Sequence, residues 1–314
     1  MPEFLHDRSD FDDLLRLVSE NQGITPALIE KDYWIMHCLW SLKKQDFQFE
    51  LKGGTSLSKG FKVIQRFSED IDIRFDPPRE MNVNIGRNQN KPAHIESRSQ
   101  FYDWLAKNIE IPGIIGIQRN EIYDDKNFRS AGIRLIYTSN SGELPGIKPG
   151  ILLEVGFDKT TPNTKVTISS WAFDTALSAK VPVVDNRATG ISCYNPEYTF
   201  VEKLQTISTK YRNLKATGKF PSNFLRHYYD VFCLLNHPAV QKFIGTSEYE
   251  THKKERFRTE DELSIVDNPA FLFRDKATLK EFESEYKKTA ALYYAGQPTF
   301  TEILSRIKAN IDKL

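Results

Sequence analysis

Apolar residues recur at helical spacing from the start of the chain: Phe11, Leu14, Leu15, Leu17 and Val18 form one stripe, and Gly23 ends it. Thr25 followed by Pro26 predicts an N-cap with proline at the first helical position, opening a second helix to about Leu42. Tyr33, Trp34, Met36, His37, Leu39 and Trp40 pack that helix, while Glu30 and Lys31 interrupt its apolar face. Over residues 47–52 the period drops to two, which predicts a strand. It runs into Gly53-Gly54-Thr55-Ser56, and helical spacing over residues 57–67 follows. A second alternating strand covers residues 70–75, stopped by Pro77-Pro78. Residues 79–92, rich in Asn, Gln and Arg, show no periodicity and read as a mobile loop.

Residues 97–110 predict another helix, and 116–123, 132–138 and 151–157 predict strands, with a possible edge strand over 164–170. Near Pro196 the hydrophobic period changes from two to 3.6. Helices follow over 200–215, 223–235, 276–294 and 300–314. There is no internal repeat. The fold class is α+β: a mixed-sheet domain with N-terminal helices over residues 1–192, then a helical C-terminal domain over 193–314.

Composition narrows the class. The 314 residues are 39% apolar and 12% aromatic, enough to fill a core, so disorder is excluded. No window approaches the roughly 18 uninterrupted apolar residues of a membrane span. The acidic N-terminus lacks the apolar stretch of a signal peptide. Cys38, Cys193 and Cys233 are odd in number and far apart, which predicts reduced, mostly buried thiols and a cytoplasmic protein. The six histidines show no zinc spacing. Lys plus Arg total 43 against 42 Asp plus Glu, a formal net charge of +1 that excludes a uniformly basic nucleic-acid coat protein.

The segment with the most chemical content is strand, Gly-Gly turn, short helix and a strand bearing Asp70 and Asp72. Carboxylates at i and i+2 on a strand share a face, about 6–7 Å apart. They repel unless a cation bridges them, and oxygen-only ligands suit Mg²⁺ or Mn²⁺ held together with substrate phosphates. Gly53 and Gly54 let backbone N–H groups approach such a phosphate. The turn is not a P-loop, since no Gly-Lys-Ser/Thr follows at the required spacing. Taken singly, a DxD is common at solvated surfaces. The ordered combination is the specific signal.

That combination, Lys52-Gly53-Gly54-Thr55-Ser56-Leu57-Ser58-Lys59 and then Arg66-Phe67-Ser68-Glu69-Asp70-Ile71-Asp72-Ile73, closely resembles the AbiEii/AbiGii-type nucleotidyltransferases. These belong to the DNA polymerase β-like superfamily and include toxins of toxin–antitoxin and phage-defence systems, MenT toxins among them. Residues 24–26 and 29–34 are similar to the family's leading helix. The resemblance implies a nucleotidyltransferase core using an NTP and Mg²⁺ (or Mn²⁺). It places metal ligation on Asp70 and Asp72 and nucleotide contacts on Gly53, Gly54, Thr55, Ser56, Lys59 and Arg66, with Ser56 favoured over Thr55 for the triphosphate. The superfamily adds a third carboxylate from a later strand. Glu154 and Asp158 are both candidates on one strand face, and Glu154 is preferred because the family carries an acid in its Leu-Glu-Val strand.

A family lysine on a helix after the sheet resembles Lys203, which would bind the nucleotide and offset charge on the triphosphate. The last motif resembles residues 226–230, making Asp230 an active-site acid that supports Lys203 or the nucleotide. On spacing alone Arg226 and Asp230 also fit a structural i,i+4 pair, and Tyr228 and Tyr229 fit a core. Two basic runs, Lys210, Arg212, Lys215, Lys219 and Arg226, then Lys253, Lys254, Arg256 and Arg258, suit an RNA backbone or ordinary solvated faces. The resemblance makes the acceptor plausibly the 3′ end of tRNA and implies an antitoxin partner. Two alternatives remain at this level: a catalytically silent RNA- or protein-binding module, and transfer to a small-molecule or protein hydroxyl.

Overall fold

The computed structural model describes residues 2–142, 148–221 and 223–314. Two compact units are present: one comprises Met1–Gly60 and Ser68–Tyr194, the other Phe61–Phe67 and Asn195–Leu314.

The first unit is built on a mixed seven-stranded sheet of order β3-β4-β5-β2-β1-β7-β6. Its strands are β1 (Phe49–Lys52), β2 (Asp70–Phe75), β3 (Ile114–Arg119), β4 (Ser130–Tyr137), β5 (Ile151–Gly156), β6 (Asn163–Ile168) and β7 (Ala188–Tyr194). β2 pairs parallel with β5 and antiparallel with β1, while β1 pairs parallel with β7. Such a central position explains why β5 reads Ile-Leu-Leu-Glu-Val-Gly, apolar on both faces, with Glu154 its one half-exposed residue. β6 is the expected edge strand. β7 carries no clean alternation and was not legible in the sequence, because Gly190, Ser192 and Cys193 blur its period.

Helices α1 (Phe11–Gln22) and α2 (Pro26–Lys44) precede the sheet. Thr25 has the extended backbone of an N-cap, yet its side chain makes no capping bond, so Pro26 is the working start signal. Fourteen of the nineteen residues of α2 are buried, including Glu30, Lys31 and Asp32. Helix α4 (Pro92–Asn108) begins earlier than its periodicity predicts.

Two expectations are corrected. The helix predicted over 57–67 is a single α turn (α3, Gly53–Thr55) followed by one π turn (Ser56–Gly60). Residues 61–67 are not helical and belong to the second unit. Nor is the 79–92 segment a loose loop. The buried Arg98 guanidinium donates to the carbonyls of Asn84 (2.5 Å), Gln89 (3.0 Å) and Asn127, and Arg129 donates to those of Ile85 (3.0 Å) and Arg87 (2.8 Å). Aperiodic polar sequence misled here because the loop's order comes from backbone carbonyls, which composition does not display.

The second unit is helical, with α6 (Pro196–Thr217), α7 (Arg226–Leu234) and α12 (Phe300–Lys308) as its frame. Its core is aromatic: Tyr228 lies against Phe224, Phe271, Phe273, Phe282 and Phe300. A Thr299/Glu302 capping box starts α12.

Within the first unit, His37 Nε2 bonds the carbonyl of Pro112 (3.0 Å) while its Nδ1 accepts from Asn186 (2.8 Å), and His6 Nδ1 meets the Tyr33 hydroxyl at 2.7 Å. Burial holds both histidines down at about 4. The unfolded chain therefore takes up protons from pH 6.5 downward that the folded chain refuses until about pH 4. Stability is full above pH 6.5 and falls as pH drops toward 4, by on the order of 1–3 kcal/mol per histidine. Urea midpoints followed by tryptophan fluorescence between pH 7 and 4.5 should fall accordingly, and a flat profile would refute this account.

Candidate active site

β2 brings Asp70 and Asp72 to one face of the sheet, and its parallel pairing with β5 sets Glu154 directly beside Asp72. Lys52 stands opposite Asp72 on β1, and Gly132 opposite Glu154 on β4. Three carboxylates thus share one patch in the middle of the sheet. Asp158 lies beyond the end of β5, exposed, with Lys52 Nζ at 3.4 Å, so it does not share a strand face with Glu154 as expected.

The Gly-Gly turn has a specific steric role. Gly53 has φ +70, and a Cβ placed on it would lie 2.1 Å from Asp72 Oδ2. The Asp72 carboxylate therefore lies over the bare Cα of Gly53, a position no other residue permits. Gly54, Thr55 and Ser56 are buried. The Thr55 hydroxyl donates to the Asp70 carbonyl and the Ser56 hydroxyl to the Gly53 carbonyl (3.0 Å), so both serve the turn itself. Lys59 Nζ is 2.5 Å from Asp32 Oδ1, whose other oxygen accepts from the Trp171 amide at 2.9 Å.

Charge in the patch is out of balance. Burial, then the neighbouring Asp72 and Asp70, push Glu154 up to about 8, against the pull of Lys148 and Lys52. Asp70 Oδ2 accepts from Lys148 Nζ at 2.8 Å, while its Oδ1 is buried without a hydrogen-bond partner. A carboxylate oxygen stranded beside two further acids is the donor set a hard divalent cation satisfies. Among the described residues no group of three acids, histidines or cysteines is closed up into a finished metal site. The fit therefore rests on the shared face, the stranded oxygen and the oxygen-only chemistry.

Sequence reasoning missed Lys148. The segment Gly146-Ile147-Lys148-Pro149-Gly150 has no period, and its only signal is a cation just ahead of the strand that bears the third acid.

In the second unit Asp230, fully buried, takes Arg66 in a two-pronged bond (Nε–Oδ1 and Nη2–Oδ2, both 2.7 Å) and Lys203 Nζ at 3.0 Å. Asp230 thus takes long-range partners, Lys203 among them. Burial would raise the Asp230 carboxyl, but the two cations outweigh it and hold it at about 2. The basic runs are partly spent: Arg212 pairs with Asp261 (2.9 Å), Arg256 with Glu202 (2.5 Å), and Lys253 with the Leu314 carbonyl (2.6 Å).

Residues 34–306 match the family described as nucleotidyl transferase AbiEii toxin, type IV toxin–antitoxin system. The chain belongs to the AbiEii nucleotidyltransferase toxin family. Among solved structures it is similar to the MenT4 nucleotidyltransferase toxin from Mycobacterium tuberculosis H37Rv, at 15% identity and a TM-score of 0.40, covering 94% of each chain. It is also similar to an antigenic nucleotidyltransferase-like protein from Paracoccidioides brasiliensis, at 12% identity and a TM-score of 0.40, covering 81% of this chain and 92% of that one. No curated protein matches. AbiEii membership makes nucleotidyl transfer the chemistry to be explained and implies an antitoxin partner. No described helix is long and apolar enough to cross a membrane.

Two outcomes follow. Replacing Asp230 with Asn leaves Arg66 and Lys203 buried without their anion, and should lower unfolding free energy by about 3–5 kcal/mol at pH 7. Because the carboxylate's folded value lies below its unfolded one, the wild-type advantage is present above about pH 4 and fades as pH falls toward 2; denaturant titrations of both proteins at pH 7 and pH 2.5 measure it. Gly53→Ala should abolish nucleotidyl transfer while retaining the circular dichroism of the wild type, since the added methyl displaces the Asp72 carboxylate.

Proposed function

We propose that the protein transfers a nucleoside monophosphate from an NTP to an acceptor hydroxyl at the carboxylate patch of β2 and β5, with Mg²⁺ or Mn²⁺ as the metal. The observation that carries this reading is the side-by-side register of Asp72 and Glu154, with Asp70 and its stranded oxygen on the same face. Asp70, Asp72 and Glu154 would hold the metal, whose charge would offset that of the triphosphate and acidify the attacking hydroxyl. Glu154, beside Asp72 on the neighbouring strand, is also assigned to help deprotonate that hydroxyl. The Gly53-Gly54 turn gives the triphosphate a close approach to backbone amides, and Lys59 is assigned to the same nucleotide contact. Thr55 and Ser56 act by shaping that turn.

Lys203 and Arg66 are assigned to the nucleotide on the family motif. In their own unit they form one charged group with Asp230, which fixes the Lys203 ammonium. The acceptor is proposed to be RNA, with the 3′ end of tRNA as its form. Support comes from the toxin family and from the basic residues of α6; the pairing of Arg212 and Arg256 with acids shortens any cationic track. Cellular toxicity held in check by an antitoxin would be the biological setting.

Incubation with each radiolabelled NTP, Mg²⁺ and total RNA should put label on RNA. Asp72→Asn should cut transfer by more than about 100-fold, beyond the 10–100-fold typical of a residue that only supports a ligand. Lys203→Met should lower turnover more than NTP affinity. Label on protein or small molecules would overturn the RNA acceptor, and transfer unaffected by Asp72→Asn would overturn the site.

A further inference from the structure

Lys148 is held more firmly than a surface lysine needs to be. Its backbone N–H donates to Glu69 Oε2 at 3.0 Å, and its carbonyl accepts from Lys31 Nζ. Both anchors are 2% exposed. The next carbonyl, of Pro149, accepts from Arg134 Nη1 at 2.9 Å. Gly150 follows at φ +62, with the Leu135 carbonyl 2.4 Å from where a Cβ would sit, so the chain is pressed against β4. These contacts deliver the Lys148 ammonium to one place, 2.8 Å from Asp70 Oδ2 and 4.8 Å from the centre of the Tyr123 ring.

That place is the edge of the carboxylate patch. Asp70 has one oxygen on Lys148 and the other buried without a partner. A cation that engages Asp70 through both oxygens must take the oxygen that Lys148 holds. The lysine stem has the freedom to release it, because an ammonium is a compact charge on a flexible chain. The Tyr123 ring face offers the ammonium a second resting contact.

We propose that Lys148 is the resident counter-ion of the acidic centre, occupying Asp70 in competition with the divalent cation. The inference rests on the reading of Asp70, Asp72 and Glu154 as metal ligands. It makes metal affinity in the nucleotide-free protein deliberately weak, so that occupancy depends on a substrate that brings its own anionic oxygens and draws the lysine away.

The test is Mn²⁺ binding to the full chain without nucleotide, read by the loss of the free-ion electron paramagnetic resonance signal. Lys148→Met should bind Mn²⁺ about tenfold more tightly than wild type, within the 5–150-fold range of a typical coupling. Lys148→Arg, which keeps the charge, should show no gain, and near-ultraviolet circular dichroism should confirm that each variant is folded. Lys52→Met removes a cation of the facing strand, whose ammonium lies 3.4 Å from Asp158, and should gain less than about threefold because Asp70 keeps its lysine. Mn²⁺ binding by Lys148→Met that is equal to or weaker than wild type overturns the proposal. So does an equal gain in Lys52→Met or Lys148→Arg, or a gain that survives addition of Asp72→Asn. The two readings fail separately: a gain at Lys148→Met with no label transfer from any NTP would sink the transferase reading and leave the competition standing.

Discussion

Three consecutive charges buried on one helix organise the first unit. Glu30, Lys31 and Asp32 lie on α2 at 2% exposure or less, and no charge is stable there without partners. Each therefore fastens a different segment. Glu30 accepts from the Ser139 hydroxyl and from the amides of Asn140 and Ser141. Lys31 bonds the Lys148 carbonyl and lies 3.9 Å from Glu69. Asp32 takes Lys59 and the Trp171 amide. A single turn of this helix thus positions the segment before β5, the residue preceding β2 and the end of the Gly-Gly turn, which are the pieces from which the carboxylate patch is assembled. Burial lowers Lys31 to about 8 in spite of Glu69 and Asp70, a measure of how much solvation this arrangement forgoes.

The patch itself is a repulsive arrangement held by steric and covalent constraint. β-sheet register leaves Asp72 and Glu154 no choice but to be neighbours, and the bare Cα of Gly53 makes the room that the Asp72 carboxylate occupies over the turn. The cost appears as a Glu154 that prefers its proton and an Asp70 with one oxygen stranded. Sites that store electrostatic strain of this kind are where ligand charge is recruited, so the same observation explains both the local instability and the proposed chemistry.

The second unit applies the opposite solution. Asp230 is as buried as any acid in the protein, but Arg66 and Lys203 close around it with good geometry, and it stays charged well below neutral pH. Its aromatic core, centred on Tyr228 and Phe282, is assembled from residues far apart in the chain. Periodicity finds the helices that carry them, and says nothing of which faces meet.

The sequence by itself determined the fold class, the strands that carry the acids, and the pairing of a Gly-Gly turn with a DxD strand. These are local patterns: alternation sets which side chains share a face, and a glycine pair marks a close approach. It also singled out Glu30 and Lys31 as charges misplaced on an apolar helix face. What it could not contain was the partner of each charge. Lys148 joins Asp70 across 78 residues, and Arg66 joins Asp230 across 164. Spacing offers Asp230 only Arg226, four residues away, and does not point to Arg66. Only the tertiary structure decided these, because the pairing of buried charges is set by which segments packing brings together, and sequence separation carries no information about that.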